Sequence, residues 1–447
     1  MNEYQLLAAI IIGIAVLLIL ILRFKVQAFL SLLISSIIVG IIAGMNPNDI
    51  INTMKNGMAS TLGTVATIVG LGAMFGAILE SSGGAQTLAN FLLKKFGEKN
   101  ASWALMLTGF FVAIPVFFDV AFIILIPLLY SLQRRTKKSL LLYAIPLLAG
   151  LAITHSFIPP TPGPVAVADI LKADLGWVIL VGFIVGIPTA VVSGPLFAKY
   201  ISKKIHIDAP ELITAESETK NFPSVGSIVT IIGVPIVLIV LNTVLATIQT
   251  AEGDALHMIK PWLKMIGHPF SALIIANLLA WYFLGIRRGF TKDALAKVTS
   301  KSMEPAGIII LLTGAGGVFK QILINTGIGK MLADQIASSG ISLVLLSFII
   351  AALVRILQGS ATVAMITAAG VVAPLMSGSL AGMDKAFLVI SIAAGASILS
   401  HVNDSGFWLV SKFIGMNEQQ TFKSWTVMTV LLSLTGFTTV FLLSLFF

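Results

Sequence analysis

Thr154-His-Ser-Phe-Ile-Pro-Pro-Thr-Pro-Gly-Pro164 places four prolines and a glycine within six positions. Proline has no backbone N–H and clashes with the turn before it, so an α-helix cannot run through this stretch. Apolar sequence nevertheless flanks it on both sides. The segment therefore predicts a helix broken at membrane depth, with free carbonyls on one half and free N–H groups on the other. The N–H set suits an anion, because helix N-termini carry partial positive charge.

The whole chain supports placing that break in lipid. Of its 447 residues 57% are hydrophobic and only 11% charged, and the mean hydropathy is +1.01. A soluble domain of this size carries about 25% charged residues. Apolar runs of roughly twenty residues recur from end to end, each long enough to cross a bilayer core of ~30 Å. Continuous runs of this kind exclude a β-barrel, which needs short alternating segments. The longest polar stretch, 199–223, is too short for a soluble domain. The first residues, Met1-Asn-Glu-Tyr-Gln5, lack the basic start and cleavage site of a signal peptide, so the first apolar run is expected to be retained. A formal charge of +9 raises the question of nucleic acid, but the basic residues sit in short loops between apolar runs, where they report orientation. No nucleic-acid partner, metal or cofactor is expected. With no cysteine, disulfides and thiolate chemistry are excluded.

The reading that follows is an all-α polytopic membrane protein of ten spans and two re-entrant hairpins. The spans are 4–22, 26–44, 61–80, 140–170 and 177–198 in the first half, and 224–248, 267–286, 304–325, 386–415 and 425–446 in the second. The hairpins, 102–130 and 341–376, have arms too short for a full crossing and centres interrupted by polar or helix-breaking residues. With the N-terminus outside, predicted cytoplasmic loops collect twenty of the 28 Lys and Arg residues. Both termini are then extracytoplasmic.

The two halves resemble each other. Gly72-Ala-Met-Phe-Gly-Ala-Ile-Leu-Glu-Ser-Ser-Gly83 aligns without a gap on Gly316-Gly-Val-Phe-Lys-Gln-Ile-Leu-Ile-Asn-Thr-Gly327, and Thr154-His-Ser156 answers Ser400-His-Val402. Five spans per half is an odd number, so the second copy is expected upside down. Residues 1–200 form one repeat, 201–223 a cytoplasmic linker and 224–447 the other. Inverted repeats with matching interruptions are the architecture of secondary transporters, and the interruptions mark the site.

From the breaks and hairpins come the candidate site residues. Thr154, His155, Ser156, Thr161 and Gly163 belong to the first break, and His401, Asn403 and Ser405 to the second. Arg355, Gln358, Ser360 and Thr362 belong to the second hairpin. Asp404 and Asp119, costly inside a span by about 2.5–3.5 kcal/mol, are candidates for carrying a coupling proton. Arg355 suits a carboxylate clamp, because its planar fork matches two oxygens; a protein carboxylate is the alternative partner. His155 and His401 could relay protons or stay neutral and hydrogen-bonded. Lys320 and Glu80 read as structural or interfacial.

These motifs, together with Pro115-Val-Phe-Phe-Asp119, Arg355-Ile-Leu-Gln-Gly-Ser-Ala-Thr362 and Ser400-His-Val-Asn-Asp-Ser-Gly-Phe-Trp408, resemble those of the gluconate permease family over essentially the whole chain. The resemblance implies a proton-coupled symporter of a small hydroxylated organic acid in a bacterial plasma membrane. It also implies a scaffold domain, a mobile transport domain and commonly a homodimer. A D-serine or glycerate permease of the same family, or the membrane subunit of a binding-protein-dependent transporter, is the alternative. A channel would need a continuous polar pore, and an intramembrane enzyme a triad that the spacing does not offer.

Overall fold

Two helices of unusual length organise the molecule. In this computed structural model, which describes residues 3–210, 222–248, 255–328, 331, 341–376, 380–402 and 404–446, the third helix covers Pro47–Ser81 and its counterpart Lys292–Asn325. At 1.5 Å per residue they are about 50 Å long, well beyond the ~30 Å hydrocarbon core. The sequence reading began them only at 61 and 304, because Asn48, Asp49, Asn52, Lys55 and Asn56 in one, and Lys292 to Glu304 in the other, look like loop by hydropathy. Pro47 at the first helical position and the Thr291 side chain, which accepts from Ala294 N at 3.1 Å, start them earlier. Both stop at left-handed glycines, Gly83 (φ 78°) and Gly327 (φ 77°), where a side chain would be strained. The pair lies in close contact: a Cβ on Gly57 would come 2.8 Å from the Gly317 carbonyl, and Asn325 Nδ2 donates to Thr53 Oγ1 at 2.9 Å.

In chain order the helices are α1 (Glu3–Leu22), α2 (Ala28–Ile42), α3 (Pro47–Ser81), α4 (Gly84–Phe96), α5 (Ala101–Val112), α6 (Phe118–Thr136), α7 (Leu141–Phe157), α8 (Pro162–Leu171), α9 (Leu175–Val191) and α10 (Phe197–Lys204). The second half continues with α11 (Val225–Thr247), α12 (Ala255–Gly267), α13 (Pro269–Leu279), α14 (Lys292–Asn325), α15 (Leu343–Gln358), α16 (Ala361–Val372), α17 (Gly382–Ala396), α18 (Ser405–Ile414) and α19 (Val427–Leu443). No strand occurs among the described residues. Among the described residues, eight helical stretches are long and apolar enough to cross a membrane: Glu3–Ile21, Pro47–Ser81, Leu141–Leu171, Leu175–Lys204, Val225–Ala246, Pro269–Arg288, Lys292–Asn325 and Glu418–Phe446. Two of the ten expected spans differ from this set. The second, α2, has only 15 residues, and the ninth is divided into α17 and α18. Single π-turns at Val192–Leu196, Ala280–Gly285 and Phe422–Thr426 interrupt other spans without ending them.

Each hairpin is seated by its own half. In the first, α5 lies against α7 so closely that a Cβ on Gly109 would meet Leu147 O at 2.3 Å, and one on Gly150 would meet Met106 O at 2.2 Å. The Thr154 hydroxyl then donates to Phe110 O across the same contact at 2.8 Å. In the second, a Cβ on Gly395 of α17 would meet Phe348 O of α15 at 2.4 Å, and Ser391 Oγ donates to Val344 O at 2.6 Å. Small residues permit this approach between helices that lipid gives no hydrophobic reason to associate. Each hairpin arm is thereby held along the helix that leads into a break, which brings the hairpin tips to the breaks.

Candidate functional site

The tips and breaks converge on one cavity of about 520 Å³, a size that suits a small organic ligand. The first hairpin contributes Phe117, Phe118 and Asp119, and the second Arg355 with Gln358 to Thr362. The first break contributes His155 and Ser156, the second Ser397 and Asp404 to Gly406. Pro305 and Ile309 of α14 form an apolar wall, and Trp425, Thr429 and Leu432 close the side.

Three helices begin on this cavity. Helix α6 starts at Phe118, α16 at Ala361 and α18 at Ser405. The first-turn amides of a helix have no intrahelical partner and carry the positive end of its dipole. Part of that potential is already used. Ser360 Oγ accepts from Val363 N at 3.4 Å, Gln358 Oε1 from Ser360 N at 2.9 Å, and Asp404 Oδ1 from Gly406 N at 3.0 Å.

Arg355 is only 4% exposed and is held within the protein. Its Nη2 lies 2.5 Å from Asp404 Oδ2, and its Nη1 donates to the Gly359 carbonyl; Nε is buried without a partner. The partner in this state is thus a protein carboxylate, the alternative that an Arg in the membrane always carries. Asp404 also accepts the Ser400 hydroxyl, and it caps α18. Ser400 is completely buried: its N–H donates to Thr429 Oγ1 at 3.1 Å, its hydroxyl accepts the Trp425 indole N–H at 2.6 Å, and its carbonyl accepts Thr426 Oγ1 at 2.5 Å. Among the described residues Asp119, in contrast, has no hydrogen-bond or ion-pair partner, and it lines the cavity.

The expected site residues fall into three groups. His155, Ser156, Arg355, Gln358, Ser360, Thr362, Ser405, Asp119 and Asp404 line the cavity together. Thr154, Thr161, Gly163 and His401 do not. Thr154 is spent on Phe110 O; His401 Nε2 lies 2.9 Å from Ile356 O, tying the second break to α15; Gly163 faces Met365 Sδ, 2.8 Å from where its Cβ would be. Thr161 lines a separate chamber of about 10 Å³, room for about one water, between the first break, the first hairpin tip and α3. His155 borders both spaces, and its Nδ1 is buried without a partner. Asn403 lies outside the described residues. The half-helix after the prolines, expected to face an anion, opens instead on the small chamber. Lys320 is elsewhere, donating at 2.7 Å to Ile170 O at the C-terminal end of α8, and Glu80 does not line the cavity. Trp425, Thr429 and Ser397 were not anticipated. Trp425 follows a polar stretch at the start of an apolar run, a position that reads as an interfacial anchor.

The family model described as GntP family permease matches residues 5–446. The chain is 41% identical to a gluconate permease of Pseudomonas aeruginosa, over 99% of this chain and 98% of that protein. It is 40% identical to the low-affinity gluconate transporter of Escherichia coli strain K12, over 95% of each. With a gluconate permease of Bacillus subtilis it shares 37% identity, over 98% and 99%. Its fold is similar to that of the Alcanivorax borkumensis YdaH transporter in a crystal structure, with a TM-score of 0.65 over 90% of each chain at 14% identity.

Proposed function

The chain belongs to the GntP permease family, and on that premise we propose that it takes up gluconate or a closely related sugar acid by proton symport. It is a transporter and a multi-pass membrane protein, not an enzyme. The finer reading is carried by one observation: both hairpin tips and both breaks meet at a cavity holding one cation, Arg355, and two carboxylates, Asp119 and Asp404.

With both carboxylates ionised the cavity is net negative and repels an anion. Two like charges in close approach, at an effective dielectric of about 20, repel by up to about 4 kcal/mol, and by less as they separate. Protonating the unpaired Asp119 removes that repulsion, so proton and anion each promote the other's binding, by the same factor in both directions. Arg355 and Asp404 cancel each other in either case. The substrate carboxylate is then received by the first-turn amides of α6 and α16, while Ser156, Gln358, Thr362 and Ser405 offer donors and acceptors to its hydroxyl groups. Asp119 is the proton carrier, and Arg355 holds the second hairpin tip to the second break.

Around this site we place two inverted repeats, 1–200 and 224–447, joined by a cytoplasmic linker at 201–223. The near-equal lengths of α3 and α14 and their matching terminal glycines support the pairing. The protein then sits as a homodimer in a bacterial inner membrane with both termini outside. Two experiments test the reading. The purified chain alone in proteoliposomes is expected to accumulate labelled gluconate when the outside is acidified and to lose it on adding a protonophore. Dependence on an added binding protein, or flux that only equilibrates, would overturn the symporter. For orientation, an impermeant thiol reagent on intact cells is expected to label Lys260→Cys and spare Lys137→Cys; the reverse pattern inverts the topology.

A further inference from the structure

Helix α12 reads Ala-Leu-His-Met-Ile-Lys-Pro-Trp-Leu-Lys-Met-Ile-Gly, and most of its residues from Met258 to Ile266 are exposed. Met258 is 76% exposed and Trp262 62%, with Ile259, Met265 and Ile266 also exposed. Their spacing sets all five on one stripe of the helix, while Lys260 and Lys264 fall off that stripe. The helix is secured at its end, where a Cβ on Gly267 would approach Leu238 O of α11 at 2.7 Å.

Thirteen residues reach about 20 Å, short of the ~30 Å hydrocarbon core, so α12 does not itself cross the bilayer. It joins two stretches that do have the length and composition to cross, Val225–Ala246 and Pro269–Arg288, and so lies at the membrane face where one ends and the other begins. The neighbours carry exposed apolar residues of their own, Val237, Leu241 and Val244 on α11 and Ile274 and Leu278 on α13, the surface that spans of this length and composition turn to lipid.

We propose that α12 lies in the plane of the bilayer interface and that its occupant is lipid. The stripe of Met258, Ile259, Trp262, Met265 and Ile266 sits at the headgroup–acyl boundary, and Lys264 reaches towards phosphate groups, while the Lys260 ammonium donates to the Ile248 carbonyl at the end of α11 and ties the helix to that span. An amphipathic helix with a tryptophan on its apolar face and lysines beside it has the chemistry for that position. The helix fixes the depth of α11 and α13 in the bilayer and does so independently of the transported substrate.

Nitroxide labels on the full chain, reconstituted in phosphatidylcholine and phosphatidylglycerol bilayers, test this directly because no native cysteine competes. Labels are attached to Ile259→Cys, Trp262→Cys, Ile266→Cys and Lys264→Cys, each first checked for uptake. The ratio of collisions with oxygen to collisions with a water-soluble nickel chelate is expected to be several-fold higher at the three stripe positions than at 264. Equal ratios would place the stripe in water and overturn the proposal. Strong dipolar broadening between labels of neighbouring copies at 262 would put a second copy over the stripe and overturn it as well.

Discussion

Arg355→Ala is expected to reduce gluconate uptake by more than a hundredfold, and adding Asp404→Asn is expected to restore part of it. Removing one partner of a buried ion pair leaves an uncompensated charge and costs about 3–5 kcal/mol, which at 1.4 kcal/mol per decade exceeds two orders of magnitude. The pair here is well buried and short, at 2.5 Å, and it bridges α15 to the start of α18. Neutralising Asp404 as well removes the stranded charge, so the double variant should fare better than Arg355→Ala alone. The same logic separates two roles for the arginine. If the guanidinium contacts the transported carboxylate, the double variant gains nothing over the single one. Arg355→Lys keeps the charge and loses the fork, and is expected to fall between wild type and Arg355→Ala. Initial uptake rates normalised to folded protein decide the order.

Asp119→Asn is expected to uncouple the transporter while leaving the site able to bind. Accumulation of labelled gluconate driven by an imposed pH gradient should disappear, whereas counterflow between gluconate-loaded vesicles and labelled gluconate outside should persist within a few-fold of wild type. The asparagine keeps the shape of the side chain and imitates the protonated, neutral form, so anion binding no longer requires a proton. Loss of both activities together would make Asp119 a binding or structural group. Retention of both would move the coupling proton elsewhere, His155 being the other titratable side chain that faces the same cavity without a partner on Nδ1.

Much of this site could be read before the structure because its determinants are local. The proline and glycine cluster at 159–164 and the polar run 400–405 interrupt their helices locally, and arms of 12 residues such as α5 and α16 are too short to cross a bilayer, although α6 runs to 19 residues. Nine of the expected side chains consequently meet in one cavity. The residues that fall outside the cavity do so from a common cause as well. Thr154 and His401 stand in the right segments, but the direction each side chain takes is set by Phe110 O and Ile356 O on other helices. Arg355 and Asp404 are separated by 49 residues, and no spacing rule says that they meet. Polar residues at 47–60 hide a helical extension of α3, since hydropathy registers lipid contact and is blind to a helix that continues beside another. The short helices α4 and α12 escaped for a related reason, each being too brief for a span and too apolar for a loop.

The knot around Ser400 has a bearing on how such a transporter could be re-engineered. One serine and one aspartate hold together the second break, the second hairpin and the beginning of α19, so variation there would spread damage through several segments at once. Thr362 and Ser405 occupy the same cavity, and so does Gln358, whose Oε1 accepts from Ser360 N two residues away. A library aimed at new cargo belongs at these rim positions, with residues 400 and 404 held constant. On the proposed reading, variants selected in that way would exchange one hydroxylated acid for another while inheriting an intact scaffold at the second break, which is what a cell-based sensor or an engineered import route requires.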